Sequence, residues 1–166
     1  MQRSLFQNTF GAAACLTLLA SCGSEAPAEG EAAAPAGDEP AVIGERQDNF
    51  EGIGDAFKLI RGQLEGGSPD FALIASEAGT IKANAEKIAG HFPEGTGVDA
   101  GYDTEALATI WEKPDEFTAA HQKLIEASDG LIAAAQSEDA AAVQAQVGEV
   151  GMSCKGCHDQ FRLDDD

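Results

Sequence analysis

Residues 143–161 read VQAQVGEVGMSCKGCHDQF. Val143, Val147, Val150, Cys154, Cys157 and Phe161 recur at steps of three and four, the period of one face of an α-helix. The cysteines continue the valine stripe, so whatever they hold faces a helical core. Within the stripe, Cys154-Lys155-Gly156-Cys157-His158 sets two thiols and an imidazole at i, i+3 and i+4, on one side of the helix. Two thiols that add across two vinyl groups, with an imidazole beside them to ligate iron, are what covalent attachment of a c-type haem requires. A disulfide, a dithiol redox pair and a zinc site are the competing readings. Zinc wants four ligands, and the region after Cys22 holds no second cysteine pair. A dithiol redox site would open a helix in an α/β fold instead of lying late in a fourth helix.

Three more helical patterns precede this one. Ile43, Arg46, Phe50, Ile53, Phe57, Ile60 and Leu64 form a stripe that stops at Gly66-Gly67. Ser68-Pro69-Asp70 reads as a cap followed by proline at the first helical position, opening a stripe of Phe71, Ile74, Ala78, Ile81, Ala85, Ile88 and Phe92. A Gly-rich loop runs from Pro93 to Asp103, with a helical turn expected near Thr104 to Trp111. A third helix follows Lys113-Pro114 and packs through Phe117, Leu124 and Leu131, and Ser137 is expected to cap the last one. Four amphipathic helices with mostly short connections predict an all-α, antiparallel four-helix bundle carrying one covalently bound c-type haem. The sustained seven-residue spacing favours shallow crossing angles.

Residues 41–166 are expected to form that bundle. Ahead of it, residues 1–21 read as an export signal: Arg3 supplies a positive start, and Phe10 to Ala20 is apolar but too short to span a bilayer. Leu19-Ala20-Ser21-Cys22 resembles a bacterial lipobox, which would make Cys22 a lipidated N-terminus holding the protein to a membrane. An ordinary cleaved signal with Cys22 incidental is the alternative. Residues 22–40, rich in Ala, Glu, Pro and Gly, read as a flexible tether. Both readings place the protein outside the cytoplasm, in the periplasm.

The net charge of −19 excludes nucleic acid as a partner and leaves a basic protein as the kind it would attract. Charge on a solvated helical surface is the plainer reading. Arg46 stands out because the rest of its stripe is apolar. It either meets an anion, for which a haem propionate is the natural partner, or reaches past the seam to water. Trp111 reads as a core anchor.

The sixth position on iron separates the functions. Methionine is the usual strong sixth ligand of electron carriers. The chain has Met1, lost with the signal, and Met152, two residues before Cys154 on the same helix and unable to reach the opposite haem face. His91 and His121 both read as surface residues. Five-coordinate iron, its open face covered by core residues such as Phe50, is therefore expected, with a six-coordinate low-spin shuttle ligated by a histidine as the alternative. An enzyme that cleaves O–O or reduces nitric oxide would want polar groups beside Phe50, and the first helix's stripe offers no His or Gln there.

The chain resembles cytochrome c′ of the class II cytochromes c over nearly all of residues 43–163. The resemblance rests on Arg46-Gln47 with Phe50, Ile81-Lys82-Ala83-Asn84, Phe92-Pro93-Glu94-Gly95-Thr96, Ile110-Trp111 with Phe117, Val147-Gly148, the haem motif and Arg162. It implies that Arg46 and Gln47 lie against the haem, Arg46 near a propionate, and that Phe50 covers the distal face. His158 would be the proximal iron ligand and Arg162 would cover the proximal side. It further implies homodimers through the first two helices, transfer of electrons to a redox partner, and binding of small gases, nitric oxide or carbon monoxide, without enzymatic turnover. Phe161 stands where the family often has tyrosine, and the lipobox and tether are uncommon for it.

Overall fold

The structure, a computed structural model, describes residues 39–164. The expected signal, the lipidation site at Cys22 and nearly all of the tether lie outside the described residues. The long helices are α1 (Ala41–Glu65), α2 (Phe71–Ala85), α4 (Pro114–Gln136) and α5 (Ala140–Phe161), with a single turn, α3 (Thr109–Glu112), before α4. Two 3₁₀ turns, Ile88–His91 and Val98–Ala100, punctuate the long connection. Among the described residues the only β pairing is one bridge, Ala106 with Arg162. The fold is the four-helix bundle that the sequence predicts.

Local chemistry sets the helix ends, not always at the residue first suggested by the sequence. The α2 cap is Asp70, not Ser68: its carboxylate accepts from the Leu73 amide at 3.0 Å. Likewise Asp139, not Ser137, caps α5, accepting from Ala141 and Ala142. Ser137 instead closes α4, its hydroxyl donating to the Ala134 carbonyl at 2.7 Å. In both turns a carboxylate two residues nearer the helix wins, reaching one amide at Asp70 and two at Asp139 and adding charge at the positive end. Pro114 opens α4 as expected, where its missing N–H costs nothing. The α2 stripe extends beyond its α-helix, because the chain tightens into the 3₁₀ turn that carries Ile88 inward.

The core is built from Ile, Leu, Val and Ala, with Ile43, Ile60, Ile74, Ile81, Leu131, Val143 and Val150 fully buried. α1 packs along α2, α2 along α4 and α4 along α5. The fourth seam, between α1 and α5, meets at few points. One close approach lies near its middle, where a Cβ placed on Gly151 would stand 3.7 Å from Phe57 Cζ. Because the helices run antiparallel, the seam can be read in register from that point. Seven residues toward the start of α1 lies Phe50, and seven toward the end of α5 lies His158.

Candidate haem site

Along the sparsely packed α1–α5 seam, the register from Phe57 and Gly151 sets Arg46 and Phe50 of α1 on the same half as Cys154, Cys157 and His158 of α5. Phe50, Cys154 and Cys157 are half-buried and pack against the main hydrophobic core. Burial is the largest influence on both thiols and pushes their pKa values up, that of Cys157 to about 11 with a further push from Cys154. Both therefore stay as neutral thiols at physiological pH, and both are free. His158 is exposed along the seam, yet desolvation by neighbouring protein still lowers its pKa, with Arg162 adding to that effect against Glu105 and Asp159. A neutral imidazole is the form that ligates iron.

Arg46 is 3 % exposed, so it does not reach past the seam to water. Its Nη2 donates to the Thr96 carbonyl at 2.9 Å and the Thr104 hydroxyl at 2.8 Å, and its Nη1 to Thr96 Oγ1 at 3.3 Å. The guanidinium carbon stands 4.6 Å from the centre of the Phe92 ring. Burial lowers its pKa, with Glu39 pulling the other way, and among the described residues no carboxylate pairs with it. The next residue, Gln47, donates to the Asp103 carbonyl at 3.0 Å. The pair pins the long loop across the N-terminal half of α1. That loop is held from the far side by Trp111, whose Nε1 donates to the Phe92 carbonyl at 3.0 Å. Gly97 lies against the indole so closely that a Cβ there would come within 2.7 Å of it.

An aromatic layer floors the seam. Phe92 stands edge-on to Phe50 at 6.3 Å and to Phe117 at 4.9 Å, and Phe117 to Phe161 at 5.2 Å. Arg162 leaves this layer and forms a two-point pair with Glu105, one contact being Nη2 to Oε1 at 2.9 Å. The Leu107 amide donates to the Phe161 carbonyl and the Leu163 amide to that of Glu105, tying the end of α5 to the same loop.

His121 departs from its reading as a surface residue. It is 5 % exposed, lies 6.0 Å from Phe117 ring to ring, and its Nδ1 is buried with no partner. Desolvation lowers its pKa. Its position beside Leu124 on the apolar stripe is the signal that pointed inward; polarity argued the other way. The sequence also left unnamed the threonines that hold Arg46, since hydroxyls in a Gly-rich loop carry no pattern of their own.

These residues fit a covalently attached haem. Two protonated thiols one turn apart stand beside an imidazole on the sparsely packed α1–α5 seam, next to an aromatic layer, and a buried cation nearby lacks an anion among the described residues. The donor set does not fit zinc: among the described residues no three His, Cys, Asp or Glu side chains cluster to hold a metal ion. Fold and site together define a bundle-type c-type haem protein.

The cytochrome c′ family model matches residues 41–162. Cytochrome c′ of Rubrivivax gelatinosus is 36% identical over 117 residues, covering 70% of this chain and 90% of that protein. The crystal structure of cytochrome c′ from Thermochromatium tepidum superposes with a TM-score of 0.69 at 25% identity, over 75% of this chain and 95% of that one. The nitric oxide complex of the L16A mutant of cytochrome c′ from Alcaligenes xylosoxidans superposes with a TM-score of 0.67 at 26% identity, over 75% and 95%. The chain belongs to the cytochrome c′ family, and its cofactor is a covalently bound haem c.

Proposed function

We propose that this is an exported haem protein with a single protein ligand on iron, His158, which binds small diatomic gases such as nitric oxide and exchanges electrons with a redox partner. The observation that carries the reading is the register of the sparsely packed α1–α5 seam, which sets Phe50 of α1 level with His158 of α5. An apolar ring opposite the proximal imidazole offers iron no donor and leaves a ligand only the space the ring yields. The nitric oxide complex of a structural neighbour supports the same reading.

When bound, the haem supplies an iron centre that cycles between ferric and ferrous and takes up a diatomic ligand. The chain does the rest. Cys154 and Cys157 hold the group by two thioethers, and His158, kept neutral, presents its lone pair. Arg46 offers N–H donors not taken by Thr96 and Thr104 to a propionate, and Gln47 braces the loop beside it. Arg162, fixed by Glu105, covers the proximal side. Phe50 excludes water and large ligands. Residues 1–21 would direct export to the periplasm, Cys22 would carry the lipid, and residues 22–40 would let the bundle stand off the membrane.

One observation favours a second reading. Phe117 meets Phe161, so one turn along each helix His121 of α4 comes level with Cys157 of α5, and a buried imidazole with an unpartnered nitrogen is a potential sixth ligand. Optical absorption of the ferric and ferrous holoprotein, before and after carbon monoxide and nitric oxide, separates the two. A high-spin spectrum that changes with both gases supports the open site. A low-spin spectrum indifferent to carbon monoxide would assign the sixth position to a histidine and remove Phe50 from the distal role.

A further inference from the structure

Because α1 and α5 meet at few points, no continuous contact between them fixes their spacing at the haem site. Counted outward from Phe57 and Gly151, Phe50 and His158 lie seven residues away, and Arg46 and Arg162 eleven. The two arginines are therefore level across the antiparallel seam, one turn beyond the ring and the imidazole. Residues 103–107 join them. On the α1 side, the Asp103 carbonyl accepts from Gln47 at 3.0 Å and the Thr104 hydroxyl from Arg46 at 2.8 Å. On the α5 side, the Glu105 carboxylate holds Arg162 at two points. The Leu107 amide also donates to the Phe161 carbonyl at 3.0 Å, and the Leu163 amide to that of Glu105 at 2.8 Å. Neighbouring residues of one short segment thus grip opposite walls of the seam.

The two grips differ in strength. Arg46 is buried, so pulling Thr104 away takes a hydrogen bond from a cation that water does not reach. The Arg162 and Glu105 side chains are 41 % and 45 % exposed, so water replaces each as the other leaves. A pair of that kind shifts an equilibrium by a factor of up to about five, and salt weakens it. Between the grips the segment is braced: the Thr104 hydroxyl accepts from the Ala106 amide at 3.3 Å, and the Ala106 carbonyl from the Val98 amide at 2.9 Å. Release therefore begins at α5, and the segment stays with α1.

We infer that residues 103–107 are a cross-tie setting the spacing of α1 and α5 beside the iron, and that Glu105 with Arg162 is its releasable clasp. While the clasp is shut, Phe50 is held one turn from the tie and level with His158. When it opens, α1 is freed from α5 at this end, and Phe50 can yield to an entering gas. Glu105 is thus a positioning residue for gas entry, acting through Arg162. The inference rests on the proposed distal place of Phe50 and adds what holds that ring there.

The test uses carbon monoxide, an uncharged ligand whose approach a changed surface charge does not steer. Its association with the ferrous holoprotein is followed by flash photolysis in Glu105→Gln, Arg162→Gln and the double variant. Glu65→Gln, at the opposite end of α1, removes the same charge as Glu105→Gln and serves as the control. All three clasp variants are expected to bind about three- to fivefold faster than the parent, and equally, because either half alone opens the clasp. The control is expected to match the parent. Raising salt from about 0.01 M to about 1 M should speed the parent toward the variants and leave the variants unchanged. Hydrogen exchange supplies a readout independent of gas binding. In Glu105→Gln the Leu107 and Leu163 amides should exchange faster, while the Val98 amide, bonded within the loop, keeps its rate. Clasp variants that bind at the parent's rate, effects that add in the double variant, or a Val98 amide that accelerates with the others would overturn the clasp and leave Phe50 in place. A parent indifferent to carbon monoxide would instead remove the distal reading of Phe50, and the gate with it.

Discussion

Replacing Arg46 by methionine tests how far this one buried cation organises the site. The side chain keeps its approximate length and apolar stem, so the change removes the guanidinium and little else. Three hydrogen bonds disappear. Two of their acceptors keep a partner: Thr96 Oγ1 still donates to the Pro93 carbonyl at 2.8 Å, and Thr104 Oγ1 still accepts from the Ala106 amide at 3.3 Å. The Thr96 carbonyl is the group left stranded, in a residue only 5 % exposed. An unsatisfied buried carbonyl costs about 1–3 kcal/mol, and losing the cation over Phe92 adds about 1 kcal/mol. Relief of the desolvated charge offsets part of this, leaving a net loss of about 2–3 kcal/mol. For a folded unit of this size that corresponds to a fall of roughly 8–12 °C in Tm. The assay is thermal unfolding of the holoprotein, followed by helical circular dichroism at pH 7. Arg46→Lys keeps the charge but can serve fewer of the acceptors, and should fall between the parent and Arg46→Met. A methionine variant within about 2 °C of the parent would refute the reasoning and reduce Arg46 to a spectator of the loop.

Shortening the distal ring by Phe50→Val should raise the carbon monoxide association rate of the ferrous holoprotein by at least tenfold in flash photolysis; an unchanged rate would mean another group guards the iron. Gly97→Ala forces a methyl to within 2.7 Å of the Trp111 ring and 3.0 Å of the Ala106 carbonyl, so the loop must shift at a cost of about 1–3 kcal/mol, read as a lower urea midpoint. His121 yields a pH effect of definite sign. Its folded pKa is depressed by burial below the ordinary imidazole value of 6.5, so as pH falls through and below 6.5 the unfolded chain takes up a proton that the folded chain refuses. Its contribution is fully present above that pH and is lost on acidification. His121→Leu should accordingly lose less stability than the parent between pH 7 and pH 5, measured by urea unfolding at each pH, and equal losses would place the imidazole in contact with solvent.

Much of the fold was legible because it depends on local chemistry. Helix periodicity, Gly66-Gly67 as a stop and Pro114 as a start act within a few residues, and the structure realises each of them. The two misplaced caps, Ser68 and Ser137, show the limit of that reading. A hydroxyl and a carboxylate two residues apart are both plausible caps, and the backbone geometry of the turn chooses between them. The haem motif was legible for the same local reason: three groups on one helix face need no tertiary information.

The sequence by itself determined the helices, the bundle class and the chemistry that Cys154, Cys157 and His158 can perform together. Tertiary structure alone decided that α1 and α5 meet at few points, that Arg46 is buried on loop hydroxyls, and that His121 turns inward. It also decided that Phe50 stands level with His158 and that Cys157 reaches the surface between α4 and α5 as well as the core. The physical reason is range. Propensity, periodicity and capping are set by neighbours three or four residues apart, whereas the width of a seam and the partner of a buried charge are set by residues 50 or more positions away.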